Sequence, residues 1–269
     1  EKEQRWSKLA VVRASSVPAT ADQPALPLRV YSPAGAQKSD KRPVIMFFHG
    51  GGFAICDPIS LFDYACKRLS AMTGCIVCSV QYRQAPEHQY PAAPNDCYRA
   101  TQWCAQNASS FGGDSTRVAT CGDSAGGNLA AVVALMARAQ ARKGDHGAAQ
   151  APEIGLQICL CPVTNWRFDT ESYLACLGHE DCPDLHLAHM IWYRDNYFGD
   201  MPVDQLSTKA APLRAAAEDL EGVAMGIIVN AEFDPLRSEG EAYAKKLQEA
   251  GRLLRCTTYA GVQHDFYLR

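Results

Sequence analysis

From Val44 onward the chain alternates short apolar runs with longer amphipathic ones, a rhythm that restricts it to a mostly parallel sheet with helices on both faces. The strand-like runs cover residues 44–48, 75–81, 118–121, 156–161, 227–231 and 256–259, with helical patterns between them at 61–72, 92–107, 128–142 and 239–249. In the third helical pattern Leu129, Val132, Val133 and Met136 recur at i, i+3, i+4 and i+7, which predicts one face on the sheet. Upstream, residues 9–14 and 26–31 predict an antiparallel pair that opens the sheet.

The chemistry-bearing residues gather where these strands end. The run 118–121 leads into Gly122-Asp123-Ser124-Ala125-Gly126 and then into the long helical pattern 128–142. A serine on a sharp strand-to-helix turn needs small residues two positions either side, and the turn lifts its hydroxyl clear of the sheet. The run 44–48 ends in His49-Gly50-Gly51-Gly52-Phe53, where consecutive glycines let backbone N–H groups approach a ligand oxygen. The run 227–231 ends at Glu232-Phe233-Asp234-Pro235, and the last run leads into Gln263-His264-Asp265-Phe266. The order is oxyanion loop, Ser, Asp, His.

With these motifs the chain resembles the hormone-sensitive lipase family of α/β-hydrolases, in its GDSAG branch of small esterases. The matching stretches are 49–53, Tyr82 to His88 with Tyr90-Pro91-Ala92-Ala93, Phe111 to Asp114, 122–127, Asp234-Pro235-Leu236 and His264-Asp265-Phe266. The resemblance implies an α/β-hydrolase fold in a single domain over 1–269, with a cap insertion at approximately 164–205. It implies a serine carboxylic-ester hydrolase acting on short- to medium-chain acyl esters, with Ser124 as nucleophile, His264 as base and Asp234 as its orienting acid. Gly51, Gly52 and Ala125 supply the oxyanion N–H groups. Two other activities share the framework: an aryl-acetamide deacetylase or amidase, and a non-catalytic small-ligand receptor, from which the presence of His264 separates this chain.

Each residue also has a plainer reading. Ser124 could cap the following helix, and His264 could be an ordinary loop histidine, but only His264 of the seven follows the last strand. Asp234 before Pro235 also suits a helix start, and Glu232 two residues back is the rival acid. His49 reads as a loop anchor. Asp123 and the group Arg83, Glu87 and His88 read as scaffold, an ion pair or hydrogen-bond network under the site.

Between the fourth and fifth of these strands lie aromatic-rich residues including Trp166, Phe168, Tyr173, Trp192, Tyr193, Tyr197 and Phe198. Phe53, Trp192, Tyr193 and Phe198 are expected to line the substrate pocket. The same segment carries His179, Glu180, Cys182, His186 and His189, a loose cluster whose spacing matches no zinc motif, so no metal site and no cofactor are expected.

The chain has 269 residues, 47% of them hydrophobic, enough to bury one large core. Its net charge is −3, with 26 basic against 29 acidic residues and no basic block, which argues against nucleic-acid or membrane-surface partners. No apolar stretch approaches the ~20 residues of a membrane span. The expected partner is a small-molecule ester, with a homodimer left open. Twelve cysteines, mostly inside apolar runs, are expected to be buried reduced thiols in a cytoplasmic protein.

Overall fold

The computed structural model describes residues 10–57, 61–143, 151–177, 180 and 182–268. Eight strands form one sheet in the order β1-β2-β4-β3-β5-β6-β7-β8. They are β1 (Ala10–Val17), β2 (Leu26–Pro33), β3 (Arg42–Phe48), β4 (Ile76–Val80), β5 (Gly113–Asp123), β6 (Ile154–Leu160), β7 (Met225–Phe233) and β8 (Leu253–Gln263). β1 and β2 pair antiparallel, β2 joins β4 antiparallel, and every later neighbour is parallel. Parallel neighbours require crossovers, and helices supply them: α1 (Asp63–Thr73), α2 (Ala92–Asn107), α3 (Ala125–Arg142) and α7 (Arg237–Glu249).

The alternation of side chains along β3 divides the core. Val44, Met46 and Phe48 enter the larger cluster with Leu129 and Val133 of α3, whereas Ile45 and Phe47 enter a smaller one with Phe62 and Cys66 on the opposite face. Both faces of the central strands are therefore covered, which is why they read as continuous apolar runs.

Helix α3 departs from the expectation in two ways. It begins at Ala125, directly after Ser124, although Gly126 and Gly127 lower local helix propensity. It is also buried nearly all round through Ala137, not on one face only, because it is enclosed by the sheet, α2 and the segment after β6. Asn128 inside this helix donates from Nδ2 to the carbonyls of Val163 and Ala210 at 2.8 and 2.9 Å, tying the helix to that segment.

The connection from β6 to β7 holds three short helices, α4 (Glu171–Ala175), α5 (Leu187–Phe198) and α6 (Ala217–Leu220). Aromatic packing joins it to the body of the protein. Tyr197 of α5 stacks on Phe53 with ring centroids 4.0 Å apart, and Trp166 meets Phe198 edge-on at 4.9 Å. The start of the connection is clamped to α7, where Glu239 Oε1 accepts from the N–H of Thr164 at 2.7 Å and of Asn165 at 3.2 Å.

The cysteine expectation needs one correction. Cys176 and Cys182 form a disulfide, with Cα atoms 5.3 Å apart, closing a short loop after α4. The other ten cysteines are free thiols, most of them buried in the sheet and its helices as expected.

Candidate active site

Parallel strands of one sheet deliver their carboxyl ends to a common edge, and the site is assembled there. β5 ends in Asp123 and passes at once into Ser124, whose backbone stands at φ 54, ψ −117 before α3 begins. That conformation is held by packing. A Cβ on Gly126 would sit 1.9 Å from the Phe48 carbonyl oxygen, so no residue but glycine lets the elbow lie this close to β3. Ser124 donates its N–H to Leu160 O at 2.8 Å and accepts from Val163 N at 3.2 Å, which fixes the turn against the end of β6. The first bond of the helix ladder is Asn128 N to Ser124 O, so the N–H groups of Ala125, Gly126 and Gly127 precede it.

His264 follows β8 and is only 4% exposed, and Asp234 follows β7 fully buried. The Nδ1 of His264 donates to Asp234 Oδ2 at 2.8 Å. Asp234 Oδ1 meanwhile accepts from Leu236 N at 2.9 Å, so the carboxylate is oriented by the backbone of its own turn. The rival acid is elsewhere: Glu232 Oε2 accepts from Gly261 N at 2.7 Å and bridges the ends of β7 and β8. Asp265 Oδ1 lies 3.3 Å from His264 Nε2, placed there by a left-handed backbone with φ 63. Burial alone would push the His264 imidazole down, but Asp234 and Asp265 outweigh it and hold the group well above its usual value.

The loop 49–53 lies across the elbow. Gly50 donates its N–H to Asp123 Oδ1 at 3.1 Å. His49 is fully buried, stacks on Tyr82 at 4.3 Å and donates from Nδ1 to the Gly50 carbonyl at 2.7 Å. Burial lowers its imidazole to about 4, so it is a neutral anchor for the loop. Burial, and then Asp265, raise the Asp123 carboxyl to about 8. Gly52 stands at φ 58, and a Cβ there would fall 2.0 Å from the Tyr193 ring, so the α5 tyrosine lies directly over this loop.

Of the four aromatic residues expected around the substrate, only Tyr193 meets the loop in this way. Phe53 and Phe198 are packed inside the aromatic cluster that supports the β6–β7 connection, and Trp192 is half exposed with its ring edge against Tyr193. Arg83 pairs through both guanidinium arms with the buried Asp96 of α2 at 2.8 Å, not with its sequence neighbour Glu87. Of the loose histidine cluster, His179 lies outside the described residues and Cys182 is in the disulfide, while His186 and His189 stack at 3.9 Å. One residue at the site escaped the sequence reading: the buried Cys161, just past β6, has its sulfur within 4.8 Å of a ring nitrogen of His264 and a carboxylate oxygen of Asp234. Its apolar surroundings gave no signal of that role.

Residues 45–268 match the family described as alpha/beta hydrolase fold. The chain is 38% identical to the carboxylic ester hydrolase LipN of Mycobacterium tuberculosis over 252 residues, covering 93% of this chain and 63% of LipN. It is 36% identical to an arylesterase of Saccharolobus solfataricus, covering 84% of this chain and 68% of that protein. Among solved structures, the hyperthermophilic esterase of the archaeon Pyrobaculum calidifontis superposes with a TM-score of 0.85 at 34% identity, over 98% of this chain and 79% of that one. The chain thus spans about two thirds of the curated relatives it matches.

Proposed function

Because the chain belongs to the hormone-sensitive lipase family of α/β-hydrolases, we propose that it is a carboxylesterase working through Ser124, His264 and Asp234. The observation that carries this reading is the buried 2.8 Å hydrogen bond from His264 Nδ1 to Asp234, at the same sheet edge as the strained Ser124 elbow. Asp234 fixes the imidazole tautomer, leaving Nε2, which Asp265 approaches at 3.3 Å, with the lone pair that accepts a proton. Ser124 attacks the ester carbonyl as His264 takes its hydroxyl proton, and the Asp234 carboxylate stabilises the imidazolium that forms. The N–H groups of Gly51, Gly52 and Ala125 receive the oxyanion, with the amino end of α3 adding a favourable dipole. His264 then protonates the leaving alcohol, and water, activated by the same imidazole, releases the acid from Ser124.

Tyr193 over the oxyanion loop supports a closed acyl pocket and a preference for short to medium chains. Ten of the twelve cysteines are free thiols, which supports a cytoplasmic setting, and the Cys176–Cys182 disulfide is the one feature that favours an oxidising compartment. Among the described residues no helix is long and apolar enough to cross a membrane.

A fluorophosphonate tests the mechanism. It should add one equivalent at Ser124 and abolish turnover of a p-nitrophenyl ester, and Ser124→Ala should neither label nor turn over. Labelling at another residue, or an active Ser124→Ala, would refute the assignment.

A further inference from the structure

The His264–Asp234 pair has a third neighbour for which ester hydrolysis has no use. Cys161 follows β6, the strand between the one that leads to Ser124 and the one that leads to Asp234. Its thiol is almost fully buried. The Cys161 sulfur, a ring nitrogen of His264 and a carboxylate oxygen of Asp234 all lie within 4.8 Å of one another. No second group of three such side chains is gathered this closely among the described residues.

We propose that Cys161, Asp234 and His264 form a binding site for a thiophilic divalent cation, zinc above all, whose occupancy switches the esterase off. This rests on His264 being the general base. One sulfur, one imidazole nitrogen and one carboxylate oxygen, converging from three different strand ends, are the donor set that zinc takes in proteins. Zinc bonds of ~2.3 Å to sulfur and ~2.0 Å to nitrogen and oxygen place tetrahedral donors about 3.3–3.6 Å apart. Reaching that spacing asks the 2.8 Å histidine–aspartate contact to open by a fraction of an ångström and the thiol to move inward, shifts within the range of side-chain adjustment.

The proton balance explains the inhibition. The Cys161 S–H bond breaks, its proton passes to solvent, and the sulfur takes the metal. The ring nitrogen facing Asp234 is Nδ1, so when it takes the metal its proton is relocated to Nε2. An imidazole protonated at Nε2 has no lone pair with which to accept the Ser124 proton. The fourth position falls to water, and nothing is oxidised or reduced.

The test uses metal-free protein, zinc chloride and a cobalt probe. Zinc should inactivate the wild-type chain at one equivalent, and a chelator should restore the rate. Cys161→Ser and Cys161→Ala, each read against its own metal-free rate, should require roughly 100-fold more zinc for half-inhibition, as expected when one of three ligands is lost. Cys256→Ser removes the exposed thiol and should behave as wild type. Cobalt(II) should give a thiolate-to-metal charge-transfer band in wild type and in Ser124→Ala, but not in Cys161→Ser. Wild-type turnover that zinc leaves untouched, without a cobalt band, overturns the proposal. So does inhibition that persists in the Cys161 variants or vanishes in Cys256→Ser. A cobalt band that depends on Cys161 with turnover unaffected would instead overturn the reading of His264 as base.

Discussion

The carboxyl of Asp123 receives the N–H of Gly50 at 3.1 Å, so the residue just before Ser124, the proposed nucleophile, holds the loop proposed to meet the oxyanion. Two parts of the site far apart in sequence are thereby set against each other by one side chain. Burial raises this carboxyl to about 8, above its ordinary value. Through the interval from ~4 to ~8 the folded chain therefore binds the extra proton, and stability falls as pH rises, by up to ~1.4 kcal/mol per pH unit from this group. Asp123→Asn keeps the acceptor for Gly50 without the ionisation. Its denaturation midpoint should approach that of wild type near pH 4 and exceed it at pH 8, as measured by urea unfolding at both pH values.

Glu232 and Asp234 are two residues apart yet serve different partners. Asp234→Asn should reduce kcat by about 10⁴, since the imidazole loses its orienting carboxylate. Glu232→Gln keeps an acceptor for Gly261 and should change kcat by less than about tenfold. Steady-state kinetics on one ester decides it, and the reverse ranking would move the acid to Glu232.

Asp265 bears on the base from its other side, 3.3 Å from Nε2. Two nearby carboxylates stabilise the imidazolium, so the acid limb of kcat/KM should lie above the ~6.5 of a free histidine. Activity is lost as pH falls through that value, because protonated His264 cannot accept the serine proton. Asp265→Asn removes one of the carboxylates and should move the limb toward lower pH, a displacement visible in pH–rate profiles of the two proteins.

Much of this was legible in the sequence because a parallel sheet converts order along the chain into proximity at one edge. Ser124, Asp234 and His264 each follow an apolar run, and the sheet gathers those three ends along one edge, with β6 between the first two. The glycines at 50–52 and 126 were readable for the same local reason, the close approach of backbone. What escaped depends on packing between elements. β8 runs over Leu253–Gln263, well beyond the apolar core at 256–259, because an edge strand with most side chains exposed carries no apolar pattern. Arg83 finds Asp96 and not Glu87 because α2 brings that carboxylate beneath it. Cys161 looked like the last residue of an ordinary strand, and its approach to His264 and Asp234 exists only once β6 lies between β5 and β7.

Tyr193 sets the substrate-size prediction. Each buried methylene adds roughly 0.8 kcal/mol until the proposed acyl pocket is full, after which further length gains little or clashes. Rates on p-nitrophenyl esters should peak at about four to eight acyl carbons and then fall. Tyr193→Ala should shift that optimum to longer chains, with a larger change in KM than in kcat for the longest esters. A wild-type optimum at palmitate would contradict the closed pocket.

At φ 54 and ψ −117, Ser124 occupies a backbone region that glycine enters freely and a residue with a Cβ enters at a cost of ~1–3 kcal/mol. Ser124→Gly should therefore be inactive yet unfold at higher denaturant concentration than wild type, even after the ~0.5–1 kcal/mol that glycine loses in the unfolded chain. Inactivation at this position runs downhill for the fold. A drift governed by folding stability alone would erase the hydroxyl, so the serine is kept where the architecture itself would prefer no side chain at all.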